Sequence, residues 1–369
     1  MAALPAPDRI LVARGPGETR AALMAGEELV EIVHRRDGAL VSGAVYFARI
    51  GAPAPNMPGV FADIGEISGL LKMKPPMPAE GTGVGVVVVV PPRAGKAAEL
   101  ALAADVPVPA DGKAGMLLRA APDPVAAWCA RYEIAEIVCA GRAEATRLKT
   151  LLGAAAPITV HATADNMFVE VDEAIAAALE PVTPLPCGGS LIIETTAAAV
   201  CIDVNAGPAA PDTANGEALT AVARELRRRN LAGHILVDVI PTRRKGALPR
   251  LFGGLVADDP MEVRVAGLTP LGMLELTRRR VGLSLAETLC DAGGRPSAET
   301  VALQALRDAV RFAFTANAAH VALEVSPDVA EALARLPAAV AEAKAATKGD
   351  LHITPRPGFA RARVELKPA

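Results

Sequence analysis

The chain has 369 residues, which is enough for roughly two to four domains with buried cores. Hydrophobic residues make up 51% of it and aromatic residues only 3%, so we expect an interior built mainly from Ala, Val and Leu. No apolar run reaches the ~18 residues of a membrane helix, residues 1–12 lack a secretory pattern, and the net charge of −3 argues mildly against nucleic-acid binding.

The first hundred residues alternate short apolar runs with turns rich in Gly and Pro. Strands are predicted within 9–33 and at 43–50, 59–65 and 86–90. Short strands of this kind over ~60 residues predict a small β-barrel such as an OB-fold. The segment Gly-Thr-Gly-Val-Gly at 81–85 precedes a strand rather than a helix, so it is not a dinucleotide loop, and we expect no nucleotide cofactor.

The middle of the chain alternates helices and strands. After a linker at 104–113, helices are predicted at 124–132, 143–152, 170–179, 213–230, 247–257 and about 271–280. Strands are predicted at 135–139, 158–161, 234–240 and 261–265, with a turn at 181–189 and a hairpin at 190–204. A linker at 291–299 then precedes a helix (299–314), a strand (320–325), a helix (327–346) and a closing strand pair, which together form a small α+β domain.

Two aspartates lie at or near the ends of short apolar runs that are typical of buried strands. Asp203 lies in Val-Cys-Ile-Asp-Val-Asn (200–205), and Asp238 lies in Ile-Leu-Val-Asp-Val-Ile (235–240). One helical segment separates the runs, which suits neighbouring strands of one sheet and would bring both carboxylates to the same edge. Paired carboxylates favour Mg²⁺, which prefers hard oxygen ligands. Alternatively, each aspartate alone forms a turn or caps a helix.

Basic residues concentrate around these aspartates. Between 224 and 250 the sequence contains Arg224, Arg227, Arg228, Arg229, Arg243, Arg244, Lys245 and Arg250, against two acids, Glu225 and Asp238. A second cluster is Arg278–Arg280. Such runs are usually solvated helix faces, but beside the aspartates they also suit phosphate binding, and we expect Arg243, Arg244 and Lys245 to bind RNA.

Four consecutive blocks of the sequence resemble the catalytic core of the ribonuclease E/G family. The blocks are Pro-Cys-Gly-Gly-Ser-Leu-Ile-Ile-Glu-Thr-Thr (186–196), Cys-Ile-Asp-Val-Asn-Ala (201–206), Leu-Ala-Gly-His-Ile-Leu-Val-Asp-Val-Ile (231–240) and Gly-Met-Leu-Glu-Leu-Thr-Arg-Arg-Arg (272–280). Upstream, Gly-Ala-Val-Tyr (43–46) and Val-Phe-Ala-Asp-Ile-Gly (60–65) resemble the family's S1-type OB-fold, and Gly-Met-Leu-Leu-Arg-Ala-Ala (115–121) resembles the start of its 5′-sensing region. The likeness therefore extends over almost the whole chain.

The resemblance implies a multidomain α/β protein with a mixed α/β catalytic core, an inserted OB-fold barrel and a small C-terminal α+β domain. The implied domains are an RNase H-like subdomain (1–38 plus 134–186), an S1-type OB-fold (39–103), a reduced 5′-sensor region (104–133), a catalytic DNase I-like subdomain (187–290) and the small C-terminal domain (296–369). A cytoplasmic location, single-stranded RNA as substrate and self-association through the last domain are expected.

The resemblance also implies roles for individual residues. Asp203 and Asp238 match two metal-binding aspartates, which would take Mg²⁺ and could also take Mn²⁺, and Asn205 matches an asparagine that orients one of them. Phe61 and Lys96 match RNA-contacting residues of the OB-fold, and Arg119 matches an arginine that grips a 5′-monophosphate. Read singly, Phe61 could equally be a core residue, Lys96 a solvated lysine and Arg119 a structural arginine.

Several positions depart from the family pattern. Ala120 stands where a threonine is expected after the sensor arginine, and Leu70 replaces a second aromatic residue of the OB-fold. The cysteines (Cys129, Cys139, Cys187, Cys201 and Cys290) form no CxxC pair, so we expect reduced thiols and no zinc. Two hypotheses remain, a Mg²⁺-dependent endoribonuclease that cuts single-stranded RNA and a non-catalytic RNA-binding relative.

Overall fold

The computed structural model describes residues 4–93, 95–161, 167–318, 320–347 and 349–368. The chain divides into two compact units, each assembled from three segments. Unit 1 consists of Met1–Ala6, Leu40–Ala127 and Ile175–Leu285. Unit 2 consists of Pro7–Ala39, Trp128–Ala174 and Ala286–Ala369. The five-domain division drawn from the sequence stays a prediction.

The described chain begins with a long run of strands and continues with interspersed helices and strands, which makes the fold mixed α/β. The strands are β1 (Arg9–Gly15), β2 (Glu18–Ala25), β3 (Glu28–Arg36), β4 (Val45–Pro53), β5 (Val60–Ile64), β6 (Ile67–Leu71), β7 (Gly83–Val90), β8 (Ala98–Leu102), β9 (Leu117–Arg119), β10 (Glu136–Ala140), β11 (Ile158–His161), β12 (Val182–Pro184), β13 (Ser190–Thr195), β14 (Val200–Asn205), β15 (Gly233–Asp238), β16 (Val263–Leu268), β17 (Leu274–Arg278), β18 (His320–Val325), β19 (Asp350–Pro355) and β20 (Glu365–Pro368). The helices are α1 (Pro124–Arg131), α2 (Arg142–Leu152), α3 (Val169–Leu179), α4 (Pro211–Arg228), α5 (Leu248–Leu255), α6 (Leu285–Leu289), α7 (Ala298–Thr315), α8 (Pro327–Ala334) and α9 (Pro337–Thr347), with a 3-10 helix at Lys245–Ala247.

The predicted β-barrel is present in unit 1. Strands β4, β5, β6, β8 and β7 follow one another, and β4 pairs with both β5 and β7, which closes the barrel. β9 continues the sheet outward from β4. Phe47 is buried on the outer face of the barrel, opposite the core residues Ala48 and Ile50, and a Cβ placed at Gly83 or Gly112 would lie about 2.5 or 2.3 Å from its ring, so both positions require glycine. The barrel is consistent with an OB-fold.

A second sheet of unit 1 carries the candidate site. Its six strands run in the order β12-β13-β14-β15-β17-β16, and β14 and β15 are parallel neighbours joined through α4. One face packs against α4 and α5 in a core that includes Ile202, Val237 and Phe252. The structure therefore confirms the prediction that the two aspartate-bearing runs are adjacent strands of one sheet.

The helix predicted at about 271–280 is wrong, because this segment forms β17. Leu274, Leu276 and Arg278 are buried while Glu275 between them is exposed, which is the two-residue alternation of a strand. Leu, Met, Glu and Arg are good helix formers, but pairing with both β15 and β16 overrides that preference. Arg278 ends the strand in a fully buried ion pair with Asp259 at 3.0 Å.

The helix predicted at 327–346 is two helices. Leu336 precedes Pro337, which lacks a backbone N–H and cannot continue α8, so α9 begins at the proline.

Helix α7 precedes β18. The Ser297 hydroxyl caps the N-terminus of α7 by accepting a hydrogen bond from the Thr300 amide. These helices pack on the three-stranded sheet β19-β18-β20 around a core of small side chains.

The remaining sheet of unit 2 has the order β11-β10-β1-β2-β3, with β1 parallel to β10 and antiparallel to β2. The helices of the described residues include none that is both long and apolar enough to cross a bilayer.

Candidate active site

Asp203 and Asp238 occupy directly paired positions on the parallel strands β14 and β15. Neighbouring strands lie about 4.8 Å apart, so the two carboxylates leave the sheet side by side. Both side chains are exposed, on the face opposite the packed helices. Like charges that face each other across strands are destabilising, so this arrangement is costly without a cation between them.

Alternating burial fixes the direction of each aspartate. Ile202 and Val204 flank Asp203 and are buried in the core under α4, as is Val237 beside Asp238. Shifting either strand by one residue would bury a carboxylate and expose the apolar side chains. The hydrophobic pattern of these strands therefore forces the two acids onto the open face.

Asn205 holds one of the aspartates. Its side-chain amide donates a hydrogen bond of 3.1 Å to Oδ2 of Asp203. Gly189 lies so close to this residue that a Cβ there would be 2.1 Å from the Asn205 carbonyl oxygen, so only glycine fits. Within the described residues, no donor hydrogen-bonds the Asp238 carboxylate, which leaves its oxygens available.

Asn215 of α4 fixes the chain that follows Asp238, a role that the sequence analysis missed. This fully buried side chain donates to the Ile240 carbonyl at 2.8 Å and accepts from the Ile240 amide at 2.9 Å. The signal available in the sequence was one polar residue on the apolar face of the predicted helix, because a buried amide needs partners.

The basic residues Arg243, Arg244 and Lys245 lie a few positions beyond this anchor and are exposed. Thr242 hydrogen-bonds Asp212 at the start of α4, and Arg244 lies 3.9 Å from the same carboxylate. The structure thus places three cationic side chains shortly after Asp238, in a segment whose two ends are fixed by Asn215 and by the 3-10 helix.

The other predicted RNA-contacting residues lie on the barrel. Phe61 and Leu70 are directly paired on β5 and β6, on the outward face and half-buried. Lys96 is exposed in the turn between β7 and β8. Phe61 and Leu70 therefore form a continuous apolar patch on the barrel surface.

Arg119 ends β9 and is half-exposed, but its guanidinium is already occupied. Its Nη1 donates to Oδ2 of Asp105 at 2.7 Å, and this hydrogen bond holds the pKa of Asp105 below its usual range. A phosphate would have to compete with this carboxylate for the guanidinium.

The donor set at the aspartates fits a hard divalent cation. Two carboxylates and an adjacent amide are oxygen-rich ligands, and Mg²⁺ is commonly bound by one or two carboxylates while it keeps several waters. Across the described ranges of the chain, no group of three or more His, Cys, Asp or Glu side chains forms a metal site. Asp203 and Asp238 are a partial ligand set of the type that Mg²⁺ completes with water or a phosphate oxygen.

Comparison with known proteins places the similarity in this part of the chain. Residues 118–281 match the profile of the Ribonuclease E/G family. Ribonuclease G of Salmonella typhimurium is 34% identical over 182 residues, which is 44% of this chain and 37% of that protein. Ribonuclease G of Escherichia coli K12 matches to the same extent.

Ribonuclease E of Nostoc sp. is 41% identical over 135 residues, which is 34% of this chain and 20% of that protein. The chain thus spans little more than a third of the length of the Ribonuclease G relatives and less of the Ribonuclease E relative. The matched range contains both aspartates, Asn205, the basic segment and Arg119, while Phe61 and Lys96 lie outside it.

Proposed function

Because this chain belongs to the ribonuclease E/G family, we propose that it is an endoribonuclease that cuts single-stranded RNA with Mg²⁺. The observation that carries the proposal is the direct pairing of Asp203 with Asp238 on adjacent strands. Two exposed like charges on directly paired residues are unfavourable unless a cation joins them, so the pair is best explained as a metal site.

In this proposal Asp203 and Asp238 hold Mg²⁺, and Mn²⁺ would also satisfy the two carboxylates. The ion supplies Lewis-acid stabilisation of the negative charge that develops on a phosphodiester. Asn205 keeps the Asp203 carboxylate in one orientation through its 3.1 Å hydrogen bond. Arg243, Arg244 and Lys245 bind the RNA backbone close to the reacting phosphate.

The barrel would hold the rest of the RNA strand. Phe61 offers a half-exposed ring on which a base can stack, and Lys96 offers a charge for the backbone. We also infer that residues 187–290 form the DNase I-like subdomain and that residues 1–38 with 134–186 form the RNase H-like one. Self-association through 296–369, a cytoplasmic location and the absence of zinc complete the proposal.

A second candidate function is RNA binding without cleavage. The ion pair of Arg119 with Asp105 favours it, because this pair competes with a 5′-phosphate, and Ala120 offers no hydroxyl to help. Leu70 in place of a second aromatic residue also removes a stacking surface. If the chain does cleave RNA, we expect weak discrimination between 5′-monophosphate and other 5′ ends.

One assay separates the two candidates. The full chain is incubated with an unstructured, internally labelled RNA in Mg²⁺, in Mn²⁺ and in EDTA, and binding is measured in parallel by filter retention. Cleavage that requires a divalent ion supports the endoribonuclease. Retention of RNA without cleavage under every divalent ion replaces it with the non-catalytic RNA-binding protein.

A further inference from the structure

Unit 2 contains a cavity of about 570 Å³ whose lining includes none of the candidate active-site residues. Its walls come from β1, β2, α3 and α7. Its volume falls within the roughly 300–1,000 Å³ range of small-molecule sites. One part of the wall is apolar, with Ala13, Val310 and Ala313, and another part is formed by guanidinium groups.

Arg20 is the unusual member of the charged wall. Its side chain is 7% exposed, and it donates through Nη1 to Asp172 at 2.5 Å while its guanidinium stacks 4.3 Å from the centre of the Phe168 ring. Its Nε is buried and donates to no described residue, and no hydrogen bond of Nη2 to a described residue exists. Buried donors without acceptors are costly, so an acceptor from a ligand would stabilise this arginine.

The guanidinium groups of the wall provide hydrogen-bond donors for an anion. Four arginines and two aspartates line the cavity, and each aspartate is paired with one of these arginines. Arg307 is held by Glu18 at 2.6 Å, and burial lowers its pKa. Arg14 is held by Asp37 at 2.5 Å and by Glu342 at 2.8 Å, so each arginine of the lining has a carboxylate partner. The remaining Nε and Nη2 groups of Arg20 are the planar donors that match a phosphate.

The C-terminal end of α7 supplies a different chemistry at the same cavity. Phe314 lines it with 69% of its surface exposed, which is unusual for a ring that contacts no ligand. Asn317, one turn further, is also exposed, and its side-chain amide makes no hydrogen bond to any described residue. An aromatic ring can stack on a nucleobase, and a free side-chain amide can hydrogen-bond to the edge of the base.

We propose that this cavity binds a mononucleotide, with the phosphate at Arg20 and the base against Phe314 and Asn317. The same chemistry is presented by a free nucleoside monophosphate and by a 5′-terminal nucleotide of an RNA. The site includes neither Asp203 nor Asp238, so this proposal can be tested independently of the nuclease proposal.

The test is calorimetric titration of the full chain, in EDTA so that no RNA is cut, with AMP, adenosine and inorganic phosphate. We expect saturable binding of about one AMP per chain and much weaker binding of adenosine and of phosphate. A 5′-phosphorylated trinucleotide that binds at least as tightly as AMP identifies an RNA end as the source, and a weaker one identifies the free nucleotide. Adenosine binding as tightly as AMP overturns the phosphate site.

Exposed residues provide variants that preserve the fold. Phe314→Ala should weaken AMP binding about tenfold or more, because it removes the stacking surface, and Phe314→Tyr should restore it. Leu151→Ala, an exposed leucine on α2 outside the cavity lining, is the matched control.

The cations are tested in the same way. Arg311→Gln should weaken AMP binding but not adenosine binding. Arg335→Gln is its control, because Arg335 is also exposed and paired with an acid a few residues earlier, Glu331, yet does not line the cavity. The proposal is overturned if AMP shows no saturable binding at millimolar concentration. It is equally overturned if Phe314→Ala and Arg311→Gln bind AMP as well as their controls do.

Discussion

Two groups of charged side chains in this molecule differ in whether neighbouring residues neutralise their charge. In unit 2, Glu18 is 2% exposed and is surrounded by cations, with Arg307 at 2.6 Å and Arg36 at 3.3 Å. In unit 1, Asp203 and Asp238 are exposed, carry the same charge and lie side by side, and within the described residues neither contacts a cation. The first group is compensated inside the protein, and the second is not.

This difference distinguishes structural charge from functional charge. Burial opposes ionisation of Glu18, but the charges of Arg307 and Arg36 favour it, and its pKa is held well below the usual range. Such a carboxylate has no remaining capacity to recruit a ligand. The repulsion between Asp203 and Asp238 is relieved only when a cation binds between them. We therefore assign the catalytic role to this uncompensated pair.

The largest expected effect comes from neutralising the uncompensated pair. Asp203→Asn and Asp238→Asn should each abolish RNA cleavage, because an amide of the same shape is neutral and binds Mg²⁺ far more weakly. Melting temperatures without Mg²⁺ should stay the same or rise slightly, since a cross-strand repulsion of about 0.2–1 kcal/mol is removed. Gel-based cleavage and thermal melts with and without Mg²⁺ measure both effects.

Glu194→Gln is the control for this prediction, because Glu194 is exposed on the adjacent strand β13, opposite Cys201 rather than an aspartate. It should cleave at the wild-type rate. If the wild type cuts RNA and the Asp203→Asn variant cuts it equally well, the active site lies elsewhere.

The next largest effect concerns the compensated group. Glu18→Gln removes the only carboxylate that Arg307 contacts among the described residues and leaves its buried guanidinium without a counter-ion, while Arg36 keeps Glu299 at 3.2 Å. Breaking a buried pair from one side typically costs about 3–5 kcal/mol. Urea unfolding should show that loss, whereas Glu331→Gln, in an exposed pair with Arg335, should cost less than about 1 kcal/mol. Equal midpoints for the two variants would contradict the contrast between the groups.

The sequence predicted the uncompensated group better than the compensated one. Two acids in short apolar runs separated by a helix are visible locally, and the strand pairing then follows from ordinary βαβ rules. The network around Glu18 joins β2, β3 and α7, and α7 begins some 280 positions later in the chain. No local sequence pattern predicts this long-range ion pairing of Glu18.

The same limit explains the errors in secondary structure. The segment 274–278 has strong helix formers, and only its position between β15 and β16 makes it a strand. Asn215 was overlooked because its partner, the Ile240 backbone, becomes nearby only after α4 packs on the sheet. The barrel was predicted correctly, because its short strands and glycine turns are local signals.

Asn205 lets the uncompensated group be weakened without removing its charge. Asn205→Ala deletes the hydrogen bond to Asp203 but leaves both carboxylates, so cleavage should fall by ~10–100-fold rather than to background. Single-turnover cleavage rates at saturating RNA measure this loss, and RNA affinity should be unchanged. A rate as low as that of Asp203→Asn would mean that Asn205 contacts the metal or the RNA directly.

The basic segment extends the comparison to positive charge. Replacing Arg243, Arg244 and Lys245 with Ala removes three exposed cations, and among the described residues only Arg244 has a carboxylate within 4 Å, at 3.9 Å. If all three contact phosphates, the slope of log affinity for single-stranded RNA against log salt should flatten by about 2. Filter binding at several salt concentrations measures the slope. An unchanged slope would mean that this segment is only a solvated surface.

The smallest effect is a pH dependence inside the compensated group. Burial lowers the pKa of His34, which lies 3.3 Å from Glu18 without hydrogen-bond geometry and faces Arg20 and Arg307, so the folded chain keeps it neutral. The unfolded chain binds a proton near pH ~6.5, so stability falls as the pH drops below that value, by at most about 1.4 kcal/mol per pH unit. Glu18 affects stability at lower pH. Because its pKa is depressed in the folded chain, the stabilisation that its charge provides is lost only as the pH falls below the unfolded value of about 4.3. Urea midpoints between pH 7 and pH 5 should decline for the wild type and decline less for His34→Gln. Parallel pH profiles for the two proteins would show that His34 protonates equally in the folded and unfolded chains, and the Glu18 group would then be open to water.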